Sequence, residues 1–216
     1  MGEKQTGSVD VLSEIAERLA KQFVSQAQKE PGVKASVVEA YAGKMQQFGY
    51  QMTPETVSVL ADYLKGYNMC LMGNVGIGKT FFFECINKLR SGAGKYPIVK
   101  LSMIETQGWD MANARDWVDD NRESDILIDD VGTEPKMKSW GQEAELFPYL
   151  LEKRMQLSSM RTHLTSNLGI VDIKGRYGER VADRFLQMFK IVKMKARASR
   201  RRQSPWRTSK DGSGVL

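Results

Sequence analysis

Apolar residues at three- and four-residue steps open the chain. Leu12, Ile15, Ala16, Leu19, Phe23 and Ala27 share one helix face between residues 9 and 28, and Pro31-Gly32 ends the pattern. Val37, Val38, Tyr41, Met45 and Phe48 form a second stripe ahead of Gly49. A third helix starts at Thr53, a hydroxyl N-cap, with Pro54 at the first helical position, where its missing N–H is no loss; Val57, Leu60, Ala61 and Leu64 fall on one side. After Gly66 the texture changes. Short apolar runs at 69–72, 98–101, 125–129, 162–165 and 191–194 read as strands, and helical stretches at 80–89, 108–121, 140–158 and 177–188 lie between them. Strands alternating with helices predict an α/β fold with a mostly parallel, five-stranded sheet. The expected organisation is a helical N-terminal region over residues 1–65 offering a partner surface, a core over 66–198 and a basic, flexible tail over 199–216.

Composition narrows the class. Of the 216 residues 41% are hydrophobic, enough to bury a core, yet no apolar run reaches the ~18 residues of a membrane-spanning helix. The opening MGEKQTGSVD lacks the apolar stretch of a signal peptide. Cys70 and Cys85 lie in apolar segments and, with His163 as the one histidine, cannot supply a four-ligand zinc site. A reducing cytoplasm is the expected compartment, with no membrane partner. The formal net charge of +6 is gathered at one end: residues 190–216 hold nine basic side chains against the single acid Asp211. A near-neutral body with such an end points to a local anionic contact.

The chemistry sits in four places. Gly73-Asn74-Val75-Gly76-Ile77-Gly78-Lys79-Thr80 fits the pattern GxxxxGK[ST], directly after one apolar run and directly before a helix. Glycines at these steps let the main chain curl so that its N–H groups converge on phosphate oxygens, and the helix start adds partial positive charge. Lys79 is placed for the β- and γ-phosphates, and the Thr80 hydroxyl for Mg²⁺. The strand at 125–129 ends in two acids. Asp129 at its tip would orient the metal ion, and Asp130 would polarise an attacking water. Asn167, just past the strand at 162–165, is placed to hold that water. Arg180 and Arg184 lie four apart on one helix face, as an arginine finger entering a neighbouring subunit's site requires. Their alternative is pairing with Glu179 or Asp183. His163, inside a strand, reads as structural.

Taken in order, the P-loop, residues 128–135 (IDDVGTEP), Thr165-Ser166-Asn167 and residues 177–185 (YGERVADRF) resemble the DnaC/IstB family of AAA+ ATPases, relatives of the initiator DnaA, over residues 67–194. The resemblance implies a five-stranded αβα sandwich that binds ATP with Mg²⁺ and couples its hydrolysis to assembly, with activity low until copies share their sites. It implies contact with DNA, single-stranded by preference. It favours Arg184, with Arg180 next, as the finger. Ser199-Arg200-Arg201 stands where the family has Ser-aromatic-Arg, which matches Arg201 to an arginine near the nucleotide. The implied partner is a replicative helicase, for a helicase loader in DNA replication, or a transposase, for an IstB-like transposition ATPase. Only 23 residues separate Leu101 from Asp125, room for one helix rather than the two with which initiator relatives grip single-stranded DNA.

Two other classes share the P-loop. A small-molecule kinase is disfavoured because paired acids, an asparagine and a finger-like helix suit water as the acceptor. A non-hydrolysing, nucleotide-gated module is disfavoured by the presence together of Lys79, Thr80, Asp129 and Asp130. The basic end divides accordingly: Arg197 and Arg200–Arg202 toward nucleotide phosphates, and Trp206 beside Arg207 toward bases and backbone.

Overall fold

Five parallel strands form the centre of the computed structural model, which describes residues 33–90, 95–103, 110–139, 142–157 and 160–195. The stripe at 9–28 and the tail, including Arg201, lie outside the described residues. In chain order the elements are α1 (Ala35–Gln47), α2 (Pro54–Leu64), β1 (Met69–Met72), α3 (Lys79–Leu89), β2 (Ile98–Lys100), a 3₁₀ turn (Leu101–Met103), α4 (Met111–Asp120), β3 (Ile126–Val131), β4 (Met137–Ser139), β5 (Gln142–Ala144), α5 (Leu146–Met155), β6 (Thr162–Ser166), α6 (Ile170–Tyr177), α7 (Glu179–Met188) and β7 (Lys190–Lys193). The sheet order is β2-β3-β6-β1-β7, so β6 stands between the strand that enters the P-loop and the strand that carries the acids. Every pairing in this sheet is parallel, which aligns the C-terminal ends of β1, β3 and β6 along one edge.

Burial on both faces explains the continuous apolar runs. Cys70, Met72, Ile126, Ile128 and Leu164 pack with α4, α5, α6 and α7 through Val118, Leu150, Ile173 and Phe185. Their neighbours Met69, Leu71 and Leu127 pack on the other side with Met45, Leu60, Tyr63, Phe82, Phe83 and Ile86 of α1, α2 and α3. The P-loop helix α3 is thus held between the sheet and α1–α2. Thr53 caps α2 reciprocally with Thr56: each side-chain oxygen accepts from the other's backbone N–H, at 3.2 and 2.7 Å.

Two elements differ from the sequence reading. The helix expected over 140–158 starts only at Leu146, after the antiparallel pair β4–β5. Pro148 is the reason. It falls in the first turn of α5, where its missing N–H is harmless; in the interior of a helix begun at 140 it would cost about 3 kcal/mol. The helix expected over 177–188 is α7, starting at Glu179, and a further helix not read from the sequence, α6, precedes it and ends at Gly178, whose φ of +88° favours glycine. Among the described residues no helix is long and apolar enough to cross a membrane.

His163 lies at the middle of β6, fully buried among the rings of Tyr63, Phe83 and Tyr96 at 5.0, 5.2 and 5.9 Å, with Nδ1 accepting from the Met69 N–H. Burial first, then the nearby Arg161, pushes its pKa down to about 3 from the ordinary 6.5. The unfolded chain therefore takes up a proton near pH 6.5 and the folded chain does not. Stability from this group is complete above 6.5 and falls as pH drops toward 3; between pH 7 and 5 it removes about 2 kcal/mol. His163→Phe should flatten that part of the profile, as read from urea midpoints at pH 7 and pH 5. Equal slopes in variant and wild type would assign the pH dependence elsewhere.

Candidate functional site

The C-terminal edge of the sheet is where ligands bind in open parallel sheets, and every residue of the P-loop pattern leads there. Leaving β1, the chain turns through Gly73, Gly76 and Gly78 at φ of +141°, +83° and +93°. A Cβ on Gly73 would lie 2.6 Å from the Met194 carbonyl oxygen, so the loop passes too close to the end of β7 for any side chain there. The curl ends at Lys79, the first residue of α3. This lysine is 5% exposed, and its ammonium donates to Gly73 O (2.7 Å), Asn74 O (3.0 Å) and Asn167 Oδ1 (2.8 Å). These are neutral oxygens of the kind that phosphate oxygens replace. Val75, Gly76, Gly78, Lys79 and Thr80 face a cleft of about 820 Å³, while the Ile77 side chain is buried in the core.

Across the cleft, Asp129 Oδ1 accepts from Thr80 Oγ1 at 2.8 Å and from Thr165 Oγ1 at 2.5 Å. Burial pushes the Asp129 carboxyl up; the two hydroxyls pull it back, the adjacent Asp130 raises it again and Lys100 lowers it. A divalent cation between Thr80 and Asp129 would oppose that rise. No three His, Cys, Asp or Glu side chains converge on a metal site among the described residues. One hydroxyl and one carboxylate fit Mg²⁺, which takes its remaining ligands from water and phosphate, rather than a metal caged by protein.

Asp130 has φ +60°, the sole non-glycine residue with positive φ among those described, and it lies where β3 slips register against β6 between Ile128 and Val131. Thr165 fixes this irregularity. Its Oγ1 accepts from the Asp130 N–H (2.9 Å) while donating to Asp129, so one side chain sets both acids. The Asp130 carbonyl accepts from the Thr133 hydroxyl, and its carboxylate from Ser102 Oγ at 3.2 Å. Asp130 and Asn167 both line the cleft.

Arg180 and Arg184 are not brought to this cleft. Arg180 is exposed on α7, and Arg184 pairs with Glu152 of α5 at 3.2 Å rather than with Asp183 or Glu179. Glu179 pairs with Lys174 instead. Within one copy neither arginine lines the pocket that the phosphate loop forms.

Several contributors have roles that no motif assigns. Thr165, one residue from the end of β6, precedes Asn167 by two, and that spacing was the available signal. Gly49 and Gln51, between α1 and α2, line the cleft with Phe81, Glu84, Lys100 and Ser102. Arg176 and Tyr177, at the end of α6, grip the loop after Asp130: the guanidinium donates to the carbonyls of Gly132 and Glu134 and pairs with Glu145, and the phenol donates to the buried Glu134 carboxylate.

The fold is an αβα sandwich, a five-stranded parallel sheet covered by helices on both faces, with a P-loop leaving the end of β1. Solved structures similar to it include the two that follow. One is a crystal structure of the DnaC helicase loader, 18% identical over 70% of this chain and 86% of that one, with a TM-score of 0.42. The other is AMPPCP-bound DnaA from Aquifex aeolicus, 17% identical over 70% of this chain and 50% of that one, with a TM-score of 0.49. No family model matches the sequence, and no curated protein matches it significantly.

Proposed function

We propose that this chain binds ATP with Mg²⁺ in the cleft, hydrolyses it with water, and acts as a DnaC-like helicase loader in DNA replication. The observation that carries the nucleotide part is the meeting of three motifs: Lys79 with Asn167 at 2.8 Å, 88 positions apart, and Thr80 with Asp129 at 2.8 Å, 49 apart. The loop amides and Lys79 would hold the β- and γ-phosphates. Thr80 and Asp129 would hold Mg²⁺, which supplies neutralisation of phosphate charge. Asn167 orients the water beside the γ-phosphate, and Asp130 takes its proton. Arg184, or Arg180, reaches the γ-phosphate of a neighbouring copy in a homo-oligomer. The partner assignment rests on the motif resemblance alone, as do single-stranded DNA binding and a cytoplasmic setting.

Two experiments test it. Mixing Lys79→Ala with Arg184→Ala protein should restore ATP hydrolysis above either alone, because one copy keeps an intact pocket and the other an intact finger. Absence of restoration in co-assembled protein would remove the shared site. Capture of a ring helicase by the full chain supports the loader; capture of a transposase instead supports the IstB-like reading. Phosphoryl transfer to a small acceptor rather than water would replace both with a kinase.

A further inference from the structure

Four side chains form a square on the metal side of the cleft. Helix α3 supplies Thr80 and, one turn later on the same face, Glu84. The sheet supplies Asp129 and, directly beside it in register on β2, Lys100. Each helix residue meets one sheet residue: Thr80 and Asp129 in a short hydrogen bond at 2.8 Å, Glu84 and Lys100 in a looser ion pair at 3.7 Å. All four line the same cleft as Lys79 and Asn167.

The two pairings differ in kind. Asp129 is 2% exposed and fixed by two hydroxyls, whereas the Lys100 and Glu84 side chains are 40% and 39% exposed. An exposed pair of that length holds weakly and exchanges readily for a stronger anion. Resting on the reading of the cleft as a nucleotide site, we propose that Lys100 is a second phosphate-contacting ammonium: Glu84 holds it while the cleft is empty, and it transfers to the terminal phosphate when a nucleoside triphosphate binds. A diphosphate lacks that group and leaves Lys100 with Glu84. The residue thereby distinguishes triphosphate from diphosphate within one copy, independently of any arginine from a neighbour.

The test is equilibrium binding of Mg-AMPPCP and Mg-ADP to the full chain at fixed ionic strength, which reads affinity and not turnover. Lys100→Ala should weaken AMPPCP about tenfold, the scale of one charge-assisted contact to phosphate, and leave ADP within about twofold. Lys100→Arg should restore most of the difference. Glu84→Gln, which removes the competing anion, should tighten AMPPCP by a few fold with ADP again little changed. Equal weakening of both nucleotides in Lys100→Ala, or no weakening of either, overturns the proposal. Wild-type protein that binds neither nucleotide overturns the nucleotide reading itself and Lys100's role with it; wild-type binding that is lost in Lys79→Ala while the AMPPCP-to-ADP ratio is untouched by Lys100→Ala overturns the second ammonium alone.

Discussion

Arg154→Ala is expected to lower stability by about 2–4 kcal/mol, through lost buried volume and lost hydrogen bonds. Arg154 is 1% exposed, and burial holds its pKa below the ordinary arginine value. Its guanidinium donates to Thr162 Oγ1 (2.9 Å) and to the carbonyls of Asn121 (3.2 Å), Ser124 (2.9 Å) and Arg161 (3.2 Å). Those acceptors lie in the turn before β3 and at the start of β6, so one residue of α5 gathers the N-terminal ends of two neighbouring strands. Truncation empties a large volume and takes from Ser124 O its donor, at about 1–3 kcal/mol for a desolvated carbonyl left unpaired, while the Asn121 and Arg161 carbonyls keep the backbone N–H groups of Ser124 and Ile126. Lysine reaches fewer of the four acceptors and should recover only part. Urea unfolding at pH 7 reads the effect as a shift in midpoint with unchanged slope. A loss below about 1 kcal/mol would mean that water or a repacked α5 satisfies the same acceptors.

What the sequence made legible follows from which interactions are local. The strands show as unbroken apolar runs because both faces of the sheet are covered, and the P-loop shows because its glycines, lysine and threonine act within eight consecutive positions. Thr53-Pro54 marks the start of α2 for the same reason. The hidden parts depend on contacts between distant segments. Thr165 is an ordinary strand residue until β6 is set beside β3, when its hydroxyl meets both acids. Lys100 and Glu84 acquire meaning only once β2 lies beside β3 under α3. Arg176 stands just ahead of the motif that holds Arg180 and Arg184, yet its partners are carbonyls 42 and 44 positions earlier. The β4–β5 pair is hidden because Gln142, Glu143 and Ala144 are good helix formers, and local propensity yields there to strand pairing. Pro148 is the visible warning that the helix begins later.

The second large effect concerns Asp130. Asp130→Asn is expected to slow ATP hydrolysis by about 10²–10⁴-fold while nucleotide affinity stays within a few fold, because the amide cannot take a proton and Lys79, Thr80 and Asp129 are untouched. Asparagine is the informative substitution on backbone grounds. At φ +60° an L-residue with a Cβ is strained by roughly 1–2 kcal/mol, but asparagine tolerates this region nearly as well as aspartate, and alanine does not. The amide oxygen can also keep accepting from Ser102, and the Thr165 bond to the backbone N–H is unaffected. Loss of turnover in this variant is therefore loss of a proton acceptor, whereas loss in Asp130→Ala mixes chemistry with strain. Single-turnover measurement on co-assembled protein is the proper reading, since the finger proposed to come from a neighbour would make isolated copies slow for a different reason. Near wild-type turnover in Asp130→Asn would move the proton to another carboxylate, and the cleft offers one candidate besides Asp129, whose proposed place is on the metal. That is Glu84, which Lys100 would release on binding the terminal phosphate, so the double comparison of Asp130→Asn and Glu84→Gln decides which acid faces the water.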